Sequence, residues 1–276
     1  MKELDSVQSV IDRLPSPIPT SKIAILRHLY PRLTDGQLRG MMKDADLQTL
    51  LNEVSRVYAP STVLVIGDTH APFVADGYLE HCVEVYESQR CNRVIHIGDV
   101  VSNHRTSYHE DELDALSADE ELQQAKEVLK PWADAFPDVD ALYGNHDALI
   151  ARKAKSGAIS NQWIRPYNEV LGLDWRFHEE CIMDGVLYRH VAGSSPQAAS
   201  TNALKRGCSV VGGHYHTKAG VTYAGGGRVF GCLTGCGVDR AAYDQRYSTS
   251  IDPYVLSCAV VYNGVRAAVF PMRNET

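Results

Sequence analysis

Thr62-Val63-Leu64-Val65-Ile66-Gly67-Asp68-Thr69-His70 carries an apolar, β-branched run into a glycine, then an acid and an imidazole. A short run with no polar alternation reads as a strand buried on both faces, the mark of a parallel sheet. Three more stretches repeat the design: Val94 to Ile97 leads into Gly98-Asp99, Val139 to Tyr143 into Gly144-Asn145-His146-Asp147, and Cys208 to Val211 into Gly213-His214-Tyr215-His216. In open α/β folds the loops beyond the carboxyl ends of such strands converge on one crevice. Together these loops hold enough carboxylate, amide and imidazole groups for two metal ions. Paired metals about 3.5–4 Å apart are the apparatus of phosphoester hydrolysis.

Outward from these runs, strands and helices alternate beyond Ser61, as α/β packing requires. Asp76 is expected to cap a helix with Leu79, Cys82, Val83 and Tyr86 along one face. Ser117 and Glu120 form a capping box that opens a helix through Leu129, which Pro131 should end or kink. After His190 the pattern turns mostly to strands. Residues 258–262 and 265–270, joined by Asn263-Gly264, read as a hairpin with a primed turn.

Residues 1–58 form a separate helical module in this reading, joined through Ala59-Pro60-Ser61 to a second domain at 61–276. Thr34 and Gln37 are a capping box for a helix running to about Met42. Thr20 or Ser21 can cap an earlier helix through Leu29, and Asp46 one through Val57. Three short helices resemble a helix-turn-helix module loosely. Residues 21–58 carry six Lys/Arg against four Asp/Glu, so the excess of positive charge is small. A helical cap is the other reading.

The formal charge of −7 argues against a protein that coats nucleic acid nonspecifically. It does not exclude a nuclease, because bound divalent ions reverse the local field. The seven cysteines (82, 91, 181, 208, 232, 236, 258) contain no C-x-x-C pair. They read as small core residues of a reducing compartment, and for Cys232 and Cys236 buried packing is preferred over service as soft metal ligands. Residues 1–10 lack a signal-peptide core and no apolar run is long enough to span a bilayer, so a soluble, cytoplasmic protein is expected.

In order, the blocks D-x-H, G-D, G-N-H-D, a lone His and G-H-x-H resemble the calcineurin-like metallophosphoesterase superfamily over roughly residues 61–272. The lone His is His190, after Val186-Leu187-Tyr188-Arg189; His178 is its nearby competitor. The resemblance implies an α/β (α+β) fold, a two-sheet β sandwich flanked by helices. It implies that Asp68, His70 and His216 hold one divalent metal and Asn145, His190 and His214 the other. Asp99 would bridge them, one oxygen to each cation. Mixed imidazole and oxygen ligation suits Mn, Fe, Zn or Ni rather than Ca or Mg, with Mn²⁺ expected to support activity best. A water or hydroxide between the metals would attack phosphorus, and His146 would protonate the leaving oxygen or stabilise the pentacovalent state. Asp147 would hydrogen-bond the His146 imidazole and fix its tautomer. Glycines 67, 98, 144 and 213 fit sharp turns and close approach of phosphate.

This chain departs from the family pattern twice. The common G-D-x-x-D has Ser102 at its second acid, and Val191-Ala192-Gly193 follows His190 where the family usually has Gly directly. The Ile95-His96-Ile97-Gly98-Asp99 lead-in and the stretch from Asn145 to Lys153 also resemble phosphoesterases encoded by bacteriophages, for which the compartment would be the host cytoplasm.

Around the blocks, His104 and His109 are candidates for contact with substrate phosphate. The acidic runs 110–114 and 119–121 read as an exposed loop and helix start that would repel a polyanion. Arg152, Lys153 and Lys155 can bind a second phosphate or a nucleic-acid backbone, or simply form a charged helix surface. Tyr215 faces substrate or packs under its loop. Trp163, Tyr167 and Trp175 read as core or domain-contact aromatics rather than as a base-stacking platform. The function expected is a phosphodiesterase or nuclease-like hydrolase acting on DNA, other nucleic acid or nucleotides. A protein or small-molecule phosphomonoesterase and a noncatalytic binding scaffold on the same fold are the alternatives. The set of ligand residues is complete, which a scaffold would not need. The sequence leaves the oligomeric state open.

Overall fold

The computed structural model of the chain describes residues 22–30, 33–43, 47, 61–107, 115–191, 193, 195–242 and 253–273. From residue 61 these include eleven strands: β1 (Thr62–Ile66), β2 (Arg93–His96), β3 (Asp140–Leu142), β4 (Arg176–His178), β5 (Cys181–Met183), β6 (Val186–Tyr188), β7 (Ser209–Gly212), β8 (Ala219–Ala224), β9 (Val229–Thr234), β10 (Ser257–Tyr262) and β11 (Arg266–Pro271). They form two mixed sheets, ordered β11-β10-β1-β2-β3-β4 and β5-β6-β7-β9-β8. Strands β1 to β4 are parallel in the first sheet, and β6, β7 and β9 are parallel in the second.

Burial on both faces explains the unbroken apolar runs. Val63, Val65, Ile95, Ile97 and Leu142 point into a core between the sheets, where they meet Val186, Tyr188, Val211 and Phe230. Leu64, Ile66, Val94 and Ala141 point the other way, into a core shared with Tyr78, Cys82, Leu129 and Trp132. On the far side of the second sheet, Leu187, Val210 and Leu233 pack with Ala199 and Ala203. The result is a two-sheet α/β sandwich with helices outside it.

The helices differ from the sequence reading at three places. The helix Tyr78–Ser88 is capped by Gly77, at φ 77°, and not by the Asp76 side chain. A turn in which Tyr78 N–H donates to Ala75 O starts it one residue later than a capping acid would. The helix Ala118–Ala135 has the expected Ser117–Glu120 box but runs on through Pro131. An interior proline costs about 3 kcal/mol. Burial of Leu129, Trp132 and Phe136 on the same face offsets it, at about 1.5–3 kcal/mol for each large apolar side chain. Finally, a helix at Ala198–Arg206 interrupts the strands after His190. Its buried positions are two alanines, too weak an apolar signal to be read in advance.

The hairpin between β10 and β11 turns at Asn263 and Gly264, both at positive φ (52° and 69°), as a primed turn requires.

The chain divides into two compact units, residues 1–60 and 61–276. In the first, α1 (Lys22–Leu29) and α2 (Asp35–Met41) bury Ile25, Leu26 and Leu38 together with Leu47. Thr34 caps α2 through the capping box with Gln37. The expected caps at Thr20, Ser21 and Asp46 lie outside the described residues. In the second unit the helices are α3 (Tyr78–Ser88), α4 (Ala118–Ala135), α5 (Leu149–Ser156), α6 (Tyr167–Leu171) and α7 (Ala198–Arg206). Among the described residues no helix is long and apolar enough to cross a membrane.

Candidate metal centre

The loops after β1, β2 and β3 of one sheet meet the loops after β6 and β7 of the other. Asp68 and His70 follow β1, Asp99 follows β2, and Asn145, His146 and Asp147 follow β3. His190 follows β6, and His214 and His216 follow β7. All seven residues named as ligand candidates come together there. Asp68, His70 and His216 present donor atoms within 4.8 Å of one another, and so do Asp99, His190 and His214. Asn145 joins the second group, its Oδ1 lying 3.1 Å from His190 Nε2.

Asp99 links the groups through a single oxygen. Its Oδ2 is 3.0 Å from His190 Nε2 and 3.4 Å from His70 Nε2, while Oδ1 accepts the His146 N–H at 2.8 Å. Backbone thus engages Oδ1, while Oδ2 faces the imidazoles of both groups. Asp68 is fastened differently: its Oδ2 accepts the His214 N–H at 2.9 Å and also lies 3.1 Å from His216 Nε2, with Oδ1 3.2 Å from the same N–H. Three of these residues, His70, Asp99 and His214, sit at positive φ (46°, 50° and 72°). A non-glycine residue is uncommon there, and such strain gathers at functional sites.

Glycines at the loops make the approach possible. A Cβ at Gly144 would run into the Asp99 carboxylate, and one at Gly213 into the Asp68 carboxylate. Of the four loop glycines only Gly98 needs a left-handed backbone, at φ 111°. The other three make room for protein carboxylates and backbone.

Electrostatically the site is a pair of buried acids among imidazoles. Burial pushes the Asp99 carboxyl up, but the charges of His190 and His146 outweigh it and hold the group well below the usual range. Asp68 is lowered in the same way, burial being overcome by His190 and His216. Burial alone would lower His190, yet Asp99 and Asp68 raise it to about 9. His214 is lowered, by burial and by the charge of His190. Two buried carboxylates call for positive charge between them, and imidazole nitrogens with carboxylate oxygens suit a first-row divalent cation. The residues present fit such ions.

His146 and Asp147 are arranged differently from the sequence reading. His146 Nδ1 lies 2.6 Å from the Ser102 carbonyl oxygen, so backbone at the position of the missing second acid orients the ring. The Asp147 carboxylate accepts the N–H groups of Gly144, Val100 and Val101 at 2.9, 3.2 and 3.2 Å, and the Tyr167 hydroxyl at 2.9 Å. It thus pins the Asp99 loop to the His146 loop. Burial and the Asp99 charge raise its pKa to about 6. Asn103, itself at φ 47°, donates to the His146 carbonyl at 3.2 Å.

His190 turns Nδ1 to the Ile97 carbonyl at 3.2 Å, which aims Nε2 at the acids. The competitor His178 lies away from the cage, against Asp140 at 3.0 Å. His96 is buried and neutral, held at about 3 by burial, with Nε2 beside the Thr69 hydroxyl.

Several neighbours depart from expectation. His104 is buried, and Glu121 is no exposed acid: it is buried and accepts the backbone N–H groups of His104 and Arg105 at 2.7 and 3.0 Å. His109 and the run 110–114 lie outside the described residues. Trp175 is core and donates to the Phe136 carbonyl, and Tyr167 is half-buried, but Trp163 is 84% exposed. Tyr215 is half-buried and donates to Gly193 O at 2.8 Å. Tyr167, Asn103 and the Ser102 carbonyl were missed as supports because each acts across the fold. An Asn in a loop, able to adopt positive φ, was the one local signal. Tyr254, whose ring packs 5.0 Å from that of His216 with Arg240 over it, was missed as well.

Parallel strands from two sheets that end in one cage of imidazoles and carboxylates define a metal-dependent phosphoester hydrolase. Residues 61–218 match the family described as calcineurin-like phosphoesterase, and the chain belongs to that family. No curated protein matches it in sequence. Among solved structures it is similar to Vacuolar Protein Sorting 29 from Cryptosporidium parvum, at 17% identity over 79% of this chain and 94% of that one, with a TM-score of 0.45. It is also similar to YfcE, a phosphoesterase from E. coli, at 14% identity over 72% and 87%, with a TM-score of 0.38. A single mutant of Vps29 from Entamoeba histolytica gives 14% identity over 77% and 99%, with a TM-score of 0.37.

Proposed function

We propose that this protein is a dinuclear phosphodiesterase that cleaves nucleic acid or nucleotides, with Asp68, His70 and His216 holding one divalent cation and Asn145, His190 and His214 the other. Asp99 would serve both. The observation that carries this reading is the position of Asp99 Oδ2, 3.0 Å from His190 Nε2 and 3.4 Å from His70 Nε2, with Oδ1 already engaged by backbone. When bound, two such ions supply Lewis acidity, an activated water and neutralisation of phosphoryl charge. The donor set suits Mn²⁺ first, with Fe, Zn or Ni also compatible.

The chain's own residues supply the rest. The Ser102 carbonyl accepts from Nδ1 of His146, which leaves Nε2 to face the ester, and the ring would give up the Nε2 proton to a leaving oxygen from its imidazolium form. An alkoxide leaving group, as in a nucleic-acid diester, needs that proton more than an activated phenolate does. Asp147 keeps the loop of His146 beside that of Asp99. The half-burial of Asn145, His214 and His216 leaves the cage open to solvent on their side, where substrate would enter. Seven free cysteines favour a reducing compartment, the cytoplasm.

The test is turnover of bis-p-nitrophenyl phosphate and p-nitrophenyl phosphate by the full chain loaded with Mn²⁺. Preference for the diester, lost in Asp99→Ala and reduced in His146→Ala, is the expected result. No turnover of either ester with Mn, Fe, Zn or Ni would remove the proposal; preference for the monoester would change its substrate class.

A further inference from the structure

The stretch from Ala148 to Tyr167 leaves the His146 loop and comes back to it. At its start Ala148 and Leu149 donate their N–H groups to Gly144 O and His146 O, both at 3.1 Å. At its end the Tyr167 hydroxyl donates to Asp147 Oδ1 at 2.9 Å. Between these anchors the sequence holds Arg152, Lys153, Lys155 and Arg165 and no acidic residue, in a chain whose formal charge is −7. Helix α5 buries Leu149 and Ala154 and leaves Arg152 and Lys155 exposed, and Arg165 is exposed beyond it. Lys153 is turned inward, its Nζ donating to Ser107 O at 3.1 Å. Trp163 lies 84% exposed on the same stretch, with Ile159 52% exposed.

A tryptophan so exposed forfeits the burial that its size would bring, and in the sequence it stands between Lys155 and Arg165. We propose that Arg152, Lys155, Arg165 and Trp163 form a landing surface for single-stranded nucleic acid, which it feeds towards the metal centre. This rests on the phosphodiesterase reading above. The cations meet backbone phosphates without regard to sequence. The indole offers a face on which a base stacks, and only an unpaired strand exposes base faces for that. An anionic membrane would also attract cations beside an aromatic ring. The anchoring favours the nucleic acid: the stretch begins and ends on the loop of His146, so it is tied at both ends to the centre that would act on phosphoesters.

The experiment is fluorescence anisotropy of a fluorescein-labelled oligothymidylate with the full chain in EDTA, where no hydrolysis can occur. Far-UV circular dichroism confirms that each variant is folded. Trp163→Ala should weaken binding by roughly 5- to 100-fold, the range for loss of one stacked base. Lys155→Glu/Arg165→Glu should weaken it further and flatten its dependence on salt by about two charges. Equal affinity of both folded variants and the parent chain would overturn the proposal. So would parent chain that binds phosphatidylserine vesicles but no oligonucleotide. Turnover of bis-p-nitrophenyl phosphate by the parent with Mn²⁺ is measured in parallel. Its failure would strike the phosphodiesterase reading alone, since binding in EDTA is scored without it.

Discussion

The Tyr167 hydroxyl donates to Asp147 Oδ1 across 2.9 Å, and through that carboxylate it braces two loops of the metal centre at once. Asp147 otherwise accepts only backbone N–H groups among the described hydrogen bonds, from Gly144 on one loop and from Val100 and Val101 on the other. A hydrogen bond to a buried charged group is worth about 1.5–3 kcal/mol. Tyr167→Phe should lower stability in urea by about that amount. It should also reduce kcat on a small diester by roughly tenfold with KM little changed, because the loop positions His146 and does not bind the ester.

The glycines beside the acids give a second expectation. Gly144→Ala and Gly213→Ala would drive a methyl group into the carboxylates of Asp99 and Asp68. Disturbing the supports of a metal site costs roughly 10- to 100-fold in affinity or activity. Elemental analysis after Mn²⁺ loading and desalting should show less metal in both variants than in the parent. Gly40→Ala, in α2 with nothing within 4 Å of the new methyl, should bind metal normally.

His190 and His178 can be told apart directly. His190 is 3% exposed in the cage, whereas His178 is 38% exposed and pairs with the half-buried Asp140 outside it. His190→Ala should lower metal content and diester turnover together. His178→Ala should lower stability by about 1 kcal/mol, the net value of one hydrogen bond, and leave metal content intact.

His96 predicts a pH dependence of stability for the metal-free chain. Burial holds its imidazole neutral down to about pH 3 in the folded chain. The unfolded chain takes up a proton below about pH 6.5 and the folded chain does not. Stability is therefore full above that pH and falls as pH drops towards the folded value, by about 2 kcal/mol between pH 7 and pH 5 from this group. His96→Gln should flatten the change between those two pH values in chemical denaturation by about that amount. An unchanged slope would mean that another group sets the acid sensitivity.

Much of this was legible along the chain because the signals were local. Thr62 to His70 held both the strand and its first two candidate ligands, and Thr34 and Ser117 announced their helices through boxes three residues long. Where the signal was weak or opposed, the reading failed. Ala199 and Ala203 were too small to mark α7, and the apolar face around Trp132 carried α4 through a proline.

The amino-acid sequence by itself determined which strands would be buried on both faces and which loops would carry acids and imidazoles, since both follow from residues adjacent in the chain. Only the tertiary structure decided that Asp99 faces both sides through one oxygen, that Ser102 orients His146 by its carbonyl, that Asp147 serves the backbone, and that Trp163 stands in solvent. Each of these depends on how two sheets stack and on which atom of a residue then meets a partner tens of residues away. That distance and direction are set by packing, and no local pattern encodes them.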